Sequence, residues 1–138
     1  MKKKLFFVLL AVFAVTFLFG TSYCNAQTAD STIAAKFISL SNRGKFDETG
    51  KFFSPAFLEM YTPGDVRELW YYLVQPQGRF HGIISVKEMQ QGKSYAVFPT
   101  CRYDNADITF AFAFDQNHQI SGFHLFKITS PNHSGSTP

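Results

Sequence analysis

A block of helical pattern followed by four strand-like segments is the feature that most limits how this chain can fold. Apolar residues recur at helical spacing through residues 28–75, and strand-like segments follow at 80–87, 94–103, 107–114 and 119–127. Helices that precede an antiparallel meander indicate an α+β fold, in which N-terminal helices pack on a curved four-stranded sheet. Because a curved sheet covered by helices encloses space, we expect a pocket between the two layers.

The helical block contains four helix-starting signals. Capping residues or proline predict helix starts at Asp30-Ser31, at Ser54-Pro55 and at Thr62-Pro63. Asp47 and Glu48, in a first helical turn, predict a short helix over 46–53. Gly44 is predicted to end the first helix and Pro76 the last. The last helix is predicted to bury one apolar stripe, formed by Val66, Leu69, Trp70 and Leu73.

Strict alternation marks the third strand-like segment. Ile108, Phe110, Phe112 and Phe114 share one face of a strand, with small residues between them. Turn residues at 92–93, 104–105 and 115–117 separate the segments. We therefore expect the four strands to pair in chain order, with the large residues of this segment covering a core.

The N-terminus is typical of an export signal. Lys2, Lys3 and Lys4 precede a 15-residue apolar run over 5–19, and Ala26 ends a stretch of small and polar residues. We expect cleavage after Ala26 and a periplasmic or secreted product. The alternatives are a retained anchor, although a spanning helix needs about 20 apolar residues, and a lipoprotein attached through Cys24.

Removal of this leader makes the chain formally neutral. The full chain has 13 Lys and Arg against 10 Asp and Glu, and Lys2–Lys4 leave with the leader. Nucleic-acid binding requires a clustered excess of basic side chains, so nucleic acid is excluded as the expected partner. No membrane contact is expected after cleavage. We predict one domain over 27–129 and a flexible tail over 130–138, which is rich in Pro, Ser, Asn and Gly.

Two cysteines support neither a disulfide framework nor a metal site. Cys24 leaves with the leader, and Cys101 then has no intramolecular partner. A buried, inert thiol within a strand is the expected state of Cys101. Neither a metal-binding motif nor a glycine-rich phosphate loop occurs, and so we expect no cofactor and no metal.

Several segments together resemble a known family. These are Ala34-Ala35-Lys36-Phe37, Gly44-Lys45-Phe46-Asp47, Leu69-Trp70, Gly78-Arg79-Phe80-His81-Gly82, Thr100-Cys101-Arg102-Tyr103, Phe112-Ala113-Phe114-Asp115 and Gln119-Ile120-Ser121-Gly122. Their order and spacing over 32–127 resemble the domain-of-unknown-function family 3887. This family belongs to the nuclear-transport-factor-2-like superfamily of cone-shaped (cystatin-like) α+β proteins. The resemblance implies that fold and carries over no catalytic residue, since the superfamily contains both enzymes and binding proteins.

Two histidines within strand patterns are the histidine candidates for acid–base chemistry. His124 falls between Phe123 and Leu125, so it faces solvent if they point into the core and lines the pocket if they point away. His81 has the same ambiguity beside Phe80. No Asp or Glu lies at a fixed short spacing from either histidine.

Asp65 and Tyr103 are the other catalytic candidates. Asp65 precedes a helix with tyrosines nearby, where aromatic neighbours would raise the pKa of a general base. Glu68 is the other carboxylate considered for this role. The simpler interpretation is that Asp65 and Glu68 lie in the first turn of the helix and favour its positive end. Arg102, beside Tyr103, either points inward to bind a carboxylate or lies outward over the sheet. The expected ligand pocket is lined by Trp70, Phe80, Cys101, Arg102, Phe112, Phe114 and His124.

The leading functional interpretation is an exported, non-catalytic module that binds a small apolar ligand or a peptide, or that dimerises through its sheet face. The alternative is a small pocket enzyme of isomerase, dehydratase or hydrolase type, using His124 or His81 with Asp65 or Tyr103. A third interpretation is a subunit of an envelope assembly. Two titratable groups that converge in a cavity would favour the enzyme, whereas a cone filled by side chains would favour binding or a structural role.

Overall fold

A computed structural model describes residues 28–131 of the chain. The predicted export signal over 1–26 and most of the predicted tail, residues 132–138, lie outside the described residues. Within 28–131, no helix is long and apolar enough to cross a membrane.

Three α-helices form the N-terminal half of the described chain. They are α1 (Ala29–Asn42), α2 (Pro55–Met60) and α3 (Pro63–Val74), with 3₁₀ turns at Phe46–Glu48, Gly50–Phe52 and Gln75–Gln77. Ser54 caps α2 as predicted, by accepting the N–H of Phe57 at 3.2 Å. The helices lie where the sequence predicted them, but local assignments in two regions were wrong.

The first correction concerns the start of α1 and the segment that follows it. Thr28, rather than Asp30 or Ser31, is the N-cap, because its hydroxyl accepts the N–H of Ser31 at 3.2 Å. The predicted helix over 46–53 is instead a pair of 3₁₀ turns. The Thr49 hydroxyl donates to the Phe46 carbonyl at 2.7 Å, and such a bond competes with regular α-helical pairing.

Helix α3 begins at the predicted cap but presents a different buried stripe. Val66, Trp70 and Val74 are buried, whereas Leu69 is 43% exposed. The helix ends at Val74, just before Pro76. The second correction is therefore Leu69, which lies at the border of the stripe and faces an opening described below.

The four strands form one antiparallel sheet in the predicted meander order. They are β1 (Phe80–Gln91), β2 (Ser94–Tyr103), β3 (Asp107–Phe114) and β4 (Ile120–Thr129), in the order β1-β2-β3-β4. The bounds of β2 and β3 match the prediction, and β1 and β4 extend further than expected. Helices packed on one face of this sheet confirm the α+β fold.

Aromatic side chains fill the space between the helices and the sheet. Trp70 of α3 stacks on Phe110 of β3 with ring centroids 4.8 Å apart. Phe37 of α1 meets Phe112 edge to face at 5.4 Å. All four large residues of β3 are buried, as the alternation predicted; they are Ile108, Phe110, Phe112 and Phe114. The centre of the layered fold is thus packed by side chains.

Candidate functional site

An open cleft lies beside this core, between β4 and the helices α2 and α3, which a short loop connects. It has a volume of about 310 Å³. Its apolar lining consists of Phe57, Met60, Tyr61, Val66, Leu69 and Phe123. Asp65, His124 and the backbone around Gly122 add polar groups to the lining. The cleft combines an apolar wall with a carboxylate and an imidazole.

Helix α2 is fastened to the beginning of β4, and this attachment defines one end of the cleft. The N–H of Ser54 donates to the carbonyl of Ile120 at 2.9 Å, and Phe53 forms an isolated parallel bridge with Ile120. Phe57 stacks on Phe53 with ring centroids 4.5 Å apart. The chain then turns at Thr62 into α3, so that Met60, Tyr61 and Leu69 remain exposed around the opening.

Asp65 is held by the cap of α3. Its Oδ2 accepts both the backbone N–H and the hydroxyl of Thr62 at 2.7 Å, while the Thr62 hydroxyl accepts the N–H of Asp65 at 3.2 Å. These bonds, above all the one from the Thr62 backbone, lower the pKa of Asp65. Of the two interpretations of Asp65, the position at the helix start describes these contacts, and the pKa shift is opposite to the one expected for a general base.

His124 faces away from the core because its neighbours face inward. Phe123 and Leu125 pack against the core cluster, and His124 is exposed opposite Ala111 of β3. It reaches the cleft at the edge of β4. Among residues 28–131, no hydrogen bond joins His124 to Asp65, so the two titratable groups share a cleft without forming a pair.

His81 has an acidic partner that sequence spacing did not reveal. Its Nε2 lies 2.6 Å from Oδ1 of Asp104, and both side chains are well exposed. The N–H of Arg79 donates to Asp104 Oδ2 at 2.8 Å, and this bond and the His81 contact lower the pKa of Asp104. The pair lies beside β1 and the end of β2, away from the cleft, since neither residue lines it.

Tyr103 and Cys101 are buried in β2 and have inert environments. The Tyr103 hydroxyl donates to Asn42 Oδ1 at 3.0 Å, and burial raises the pKa of the phenol. Burial also raises the pKa of the Cys101 thiol to about 12. Both groups therefore stay protonated at neutral pH. This matches the expectation of a buried thiol at Cys101.

Most of the predicted pocket residues belong to the packed core. Four of them are buried there, namely Trp70, Cys101, Phe112 and Phe114. Phe80 is partly buried against Tyr103, with ring centroids 5.5 Å apart. Arg102 is exposed and pairs with Asp107 through two bonds of 2.9 Å. Of the predicted set, the structure brings only His124 to the cleft.

Sequence reasoning missed Phe57, Met60 and Phe123 as cleft residues, and it took Leu69 for a core residue. The available signal was the short α2 segment with Ser54-Pro55, which holds Phe57 and Met60 close to the start of α3. A second missed feature is the contact between His118 and Asp30, whose Nδ1 and Oδ1 atoms lie 2.8 Å apart. In the described part of the chain, no cluster of three or more His, Cys, Asp or Glu residues is arranged to hold a metal.

Comparison with models of protein families assigns the chain to a family. The family model described as "Protein of unknown function (DUF3887)" matches residues 34–123. The chain belongs to this family. The match covers α1 from Ala34, all of α2 and α3, and the sheet as far as Phe123, and thus includes most of the cleft. Neither a curated protein nor a solved structure matches the chain. Membership of the nuclear-transport-factor-2-like superfamily stays a prediction.

Proposed function

We propose that this member of the DUF3887 family is an exported, non-catalytic binding domain that takes an apolar group of its ligand into the cleft between α2, α3 and β4. The observation that carries the proposal is the contrast between a core filled by side chains and an adjacent open cleft with an apolar wall. Exposed Met60, Tyr61 and Leu69 surround the opening. Apolar side chains at an open concave surface favour ligand binding.

The titratable groups favour binding over catalysis. Asp65 is engaged in the cap of α3 and has a lowered pKa, whereas a general base works best with a pKa near the working pH. His81 and Tyr103 lie outside the cleft lining. The enzyme interpretation would need two convergent groups of suitable pKa, and the described residues offer Asp65 and His124 without a bond between them.

Mass spectrometry of the chain over 27–138 tests the proposal. We expect a native spectrum with an added mass that is lost on denaturation, and this mass gives the ligand class. Leu69→Glu places a charge on the cleft wall and should abolish the added mass. Tyr72→Glu is the matched control, since Tyr72 is 79% exposed on the same helix and does not line the cleft. An added mass that survives Leu69→Glu would contradict the proposed site.

Self-association through the outer sheet face is a second candidate function. Phe126 and Met89 are 60% and 56% exposed, and Phe126 meets Phe98 edge to face at 5.2 Å. These side chains line a depression of about 480 Å³ on the face opposite the helices. Sedimentation velocity should show a dimer that Phe126→Lys dissociates and Tyr72→Lys leaves intact. A monomer at high protein concentration would remove this function.

A further inference from the structure

Strand β4 pairs with β3 on one side, and a short stretch of its other, outer edge has no backbone partner among the described residues. The register with β3 is unbroken from Gly122, opposite Ala113, to Leu125, opposite Phe110. In an antiparallel ladder, alternate residues of an edge strand direct their N–H and C=O groups away from their partner strand. Among residues 28–131, no hydrogen bond outside the β3 pairing reaches Gly122–Leu125. These backbone groups are available to another extended chain.

The outer edge of β4 is protected from strand pairing both before and after this stretch. At its start, Ile120 already accepts the Ser54 N–H and bridges to Phe53. At its end, the register shifts between Thr109 and Phe110, and an exposed Lys127 follows. Bulges and lysines are devices that protect sheet edges from pairing. The unprotected edge is therefore limited to about four residues, the length of a short strand.

The opposite edge of the sheet has its own protection. Strand β1 has two register irregularities, between Phe80 and Gly82 and between Ile83 and Ser85. It also carries the charged residues Lys87 and Glu88. The stretch Gly122–Leu125 contains no acid, lysine, arginine or proline, and so it differs from both β1 and the remainder of β4.

The apolar cleft opens along this same stretch. Gly122, Phe123 and His124 belong to the free edge and also line the cleft. A strand added to the edge would lie about 4.8 Å from β4. Side chains on one face of that strand would then meet Phe57, Met60 and Leu69, because these residues line the same cleft as Phe123. The backbone groups that could pair with a peptide thus lie next to a cleft that could bury its side chains, which is the arrangement used in strand addition.

Charge at the cleft favours a basic residue in the ligand. Oδ2 of Asp65 accepts both bonds from Thr62, and no bond to Oδ1 occurs among the described residues. The lowered pKa of Asp65 keeps the carboxylate ionised at neutral pH. Glu59 and Glu68 are exposed on the same two helices, against one arginine, Arg67. A cation next to the apolar anchor of the ligand would pair with this acidic surface.

We propose that the ligand is an extended peptide that adds as a strand to β4 at Gly122–Leu125, places an apolar side chain in the cleft and a Lys or Arg beside Asp65. This inference rests on the proposed function and specifies its ligand class. Residues 132–138 read Asn-His-Ser-Gly-Ser-Thr-Pro, contain no large apolar side chain and so lack the anchor that the cleft would take. The proposed occupant is a peptide segment of another chain.

Two N-methylated forms of one peptide give a sharp test. The probe is acetyl-Lys-Thr-Leu-Thr-Val-amide, whose lysine and apolar residues share one face of a strand. One form is N-methylated at the threonines and the other at Val and Leu, so each blocks one edge of the peptide. We expect the parent peptide and one form to bind, the other form to fail, and the amide NMR signals of Gly122–Leu125 to shift.

Substitutions test whether the peptide binds at the cleft or elsewhere on the surface. Leu69→Glu should weaken peptide affinity at least about tenfold, the equivalent of losing one good apolar contact. Tyr72→Glu should leave the affinity unchanged. Asp65→Asn should weaken binding of this peptide more than binding of the same peptide with norleucine in place of lysine.

Other outcomes overturn the strand-addition proposal in distinguishable ways. Equal binding of both N-methylated forms would show that the cleft takes side chains without strand pairing, and the proposed function would stand. Binding of 8-anilinonaphthalene-1-sulfonate that is sensitive to Leu69→Glu, with no peptide binding, would also leave only the proposed function. Failure of both probes would remove both proposals. Shifts at Gly122–Leu125 that follow protein concentration alone would identify a second copy as the occupant.

Discussion

Asp30 in the first turn of α1 and His118 in the β3–β4 turn meet through a contact of 2.8 Å between Oδ1 and Nδ1. The Asp30 side chain is only 4% exposed, whereas that of His118 is 64% exposed. His118 has a positive φ of 59°, a conformation in which His and Asn are enriched among non-glycine residues. The turn therefore presents the imidazole to a buried carboxylate and ties α1 to the end of the sheet.

A double-mutant cycle should reveal this contact. His118→Asn keeps a residue that tolerates positive φ but shortens the side chain, and Asp30→Asn removes the charge. We expect a coupling free energy of about 1 kcal/mol in urea unfolding, typical of a hydrogen bond to a partly buried group. The exposed neighbour Gln116, changed to Ala, is the control in the same turn. Additive effects of the two substitutions would show that the contact does not stabilise the fold.

Trp70 should be the most costly side chain to truncate. It is fully buried and contacts Phe37 and Phe110. Trp70→Ala should lower the free energy of unfolding by about 3–5 kcal/mol. Its Nε1 finds no acceptor among the described residues, so Trp70→Phe should cost clearly less, because no hydrogen bond is lost. A larger loss for Phe than for Ala would contradict this account.

Acid should weaken the fold through Asp107. The hydrogen bonds from Arg102, followed by its charge, hold the pKa of Asp107 below its ordinary value. A carboxyl with a depressed folded pKa stabilises the protein above its unfolded pKa, and this contribution is lost as the pH falls through the folded pKa. Urea unfolding at pH 7 and below pH ~4 should show the loss. Asp107→Asn should reduce the difference between the two pH values, and an unchanged difference would exclude Asp107 as a source.

The Cys101 thiol should react only when the protein unfolds. It is fully buried, and burial raises its pKa to about 12. The thiol reagent dithiobis(nitrobenzoic acid) should therefore leave Cys101 unmodified in the native protein and modify it completely in denaturant. Rapid modification of the native protein would show that β2 opens and that the thiol is accessible.

Local patterns in the sequence predicted most of the fold. The alternation of β3 identified its buried face because side chains of a strand point to opposite sides of a sheet. The Thr62-Pro63 signal located the start of α3 because capping depends on residues three positions apart. Both features involve neighbours in the chain, and both are confirmed. The wrong prediction for 46–53 has the same local character, since the competing Thr49 bond is also local.

The candidate site was much less accessible to sequence reasoning. For Asp65 the sequence allowed both a general base with a raised pKa and a position at the positive end of a helix, and Leu69 was predicted to lie in the core. Their true surroundings depend on where β4 lies relative to α2 and α3. The Ser54–Ile120 bond sets that placement, and no periodicity in either segment encodes it.

The sequence by itself determined the order of the elements, the antiparallel meander and the inward face of β3, because apolar periodicity and capping act over a few residues. Tertiary structure alone decided the cleft beside β4, the free edge at Gly122–Leu125, and the pairs His81–Asp104 and Asp30–His118. These features join residues far apart in the chain, and their geometry depends on strand register, bulges and the docking of α2. Packing of the whole core determines the strand register, the bulges and the docking of α2 together.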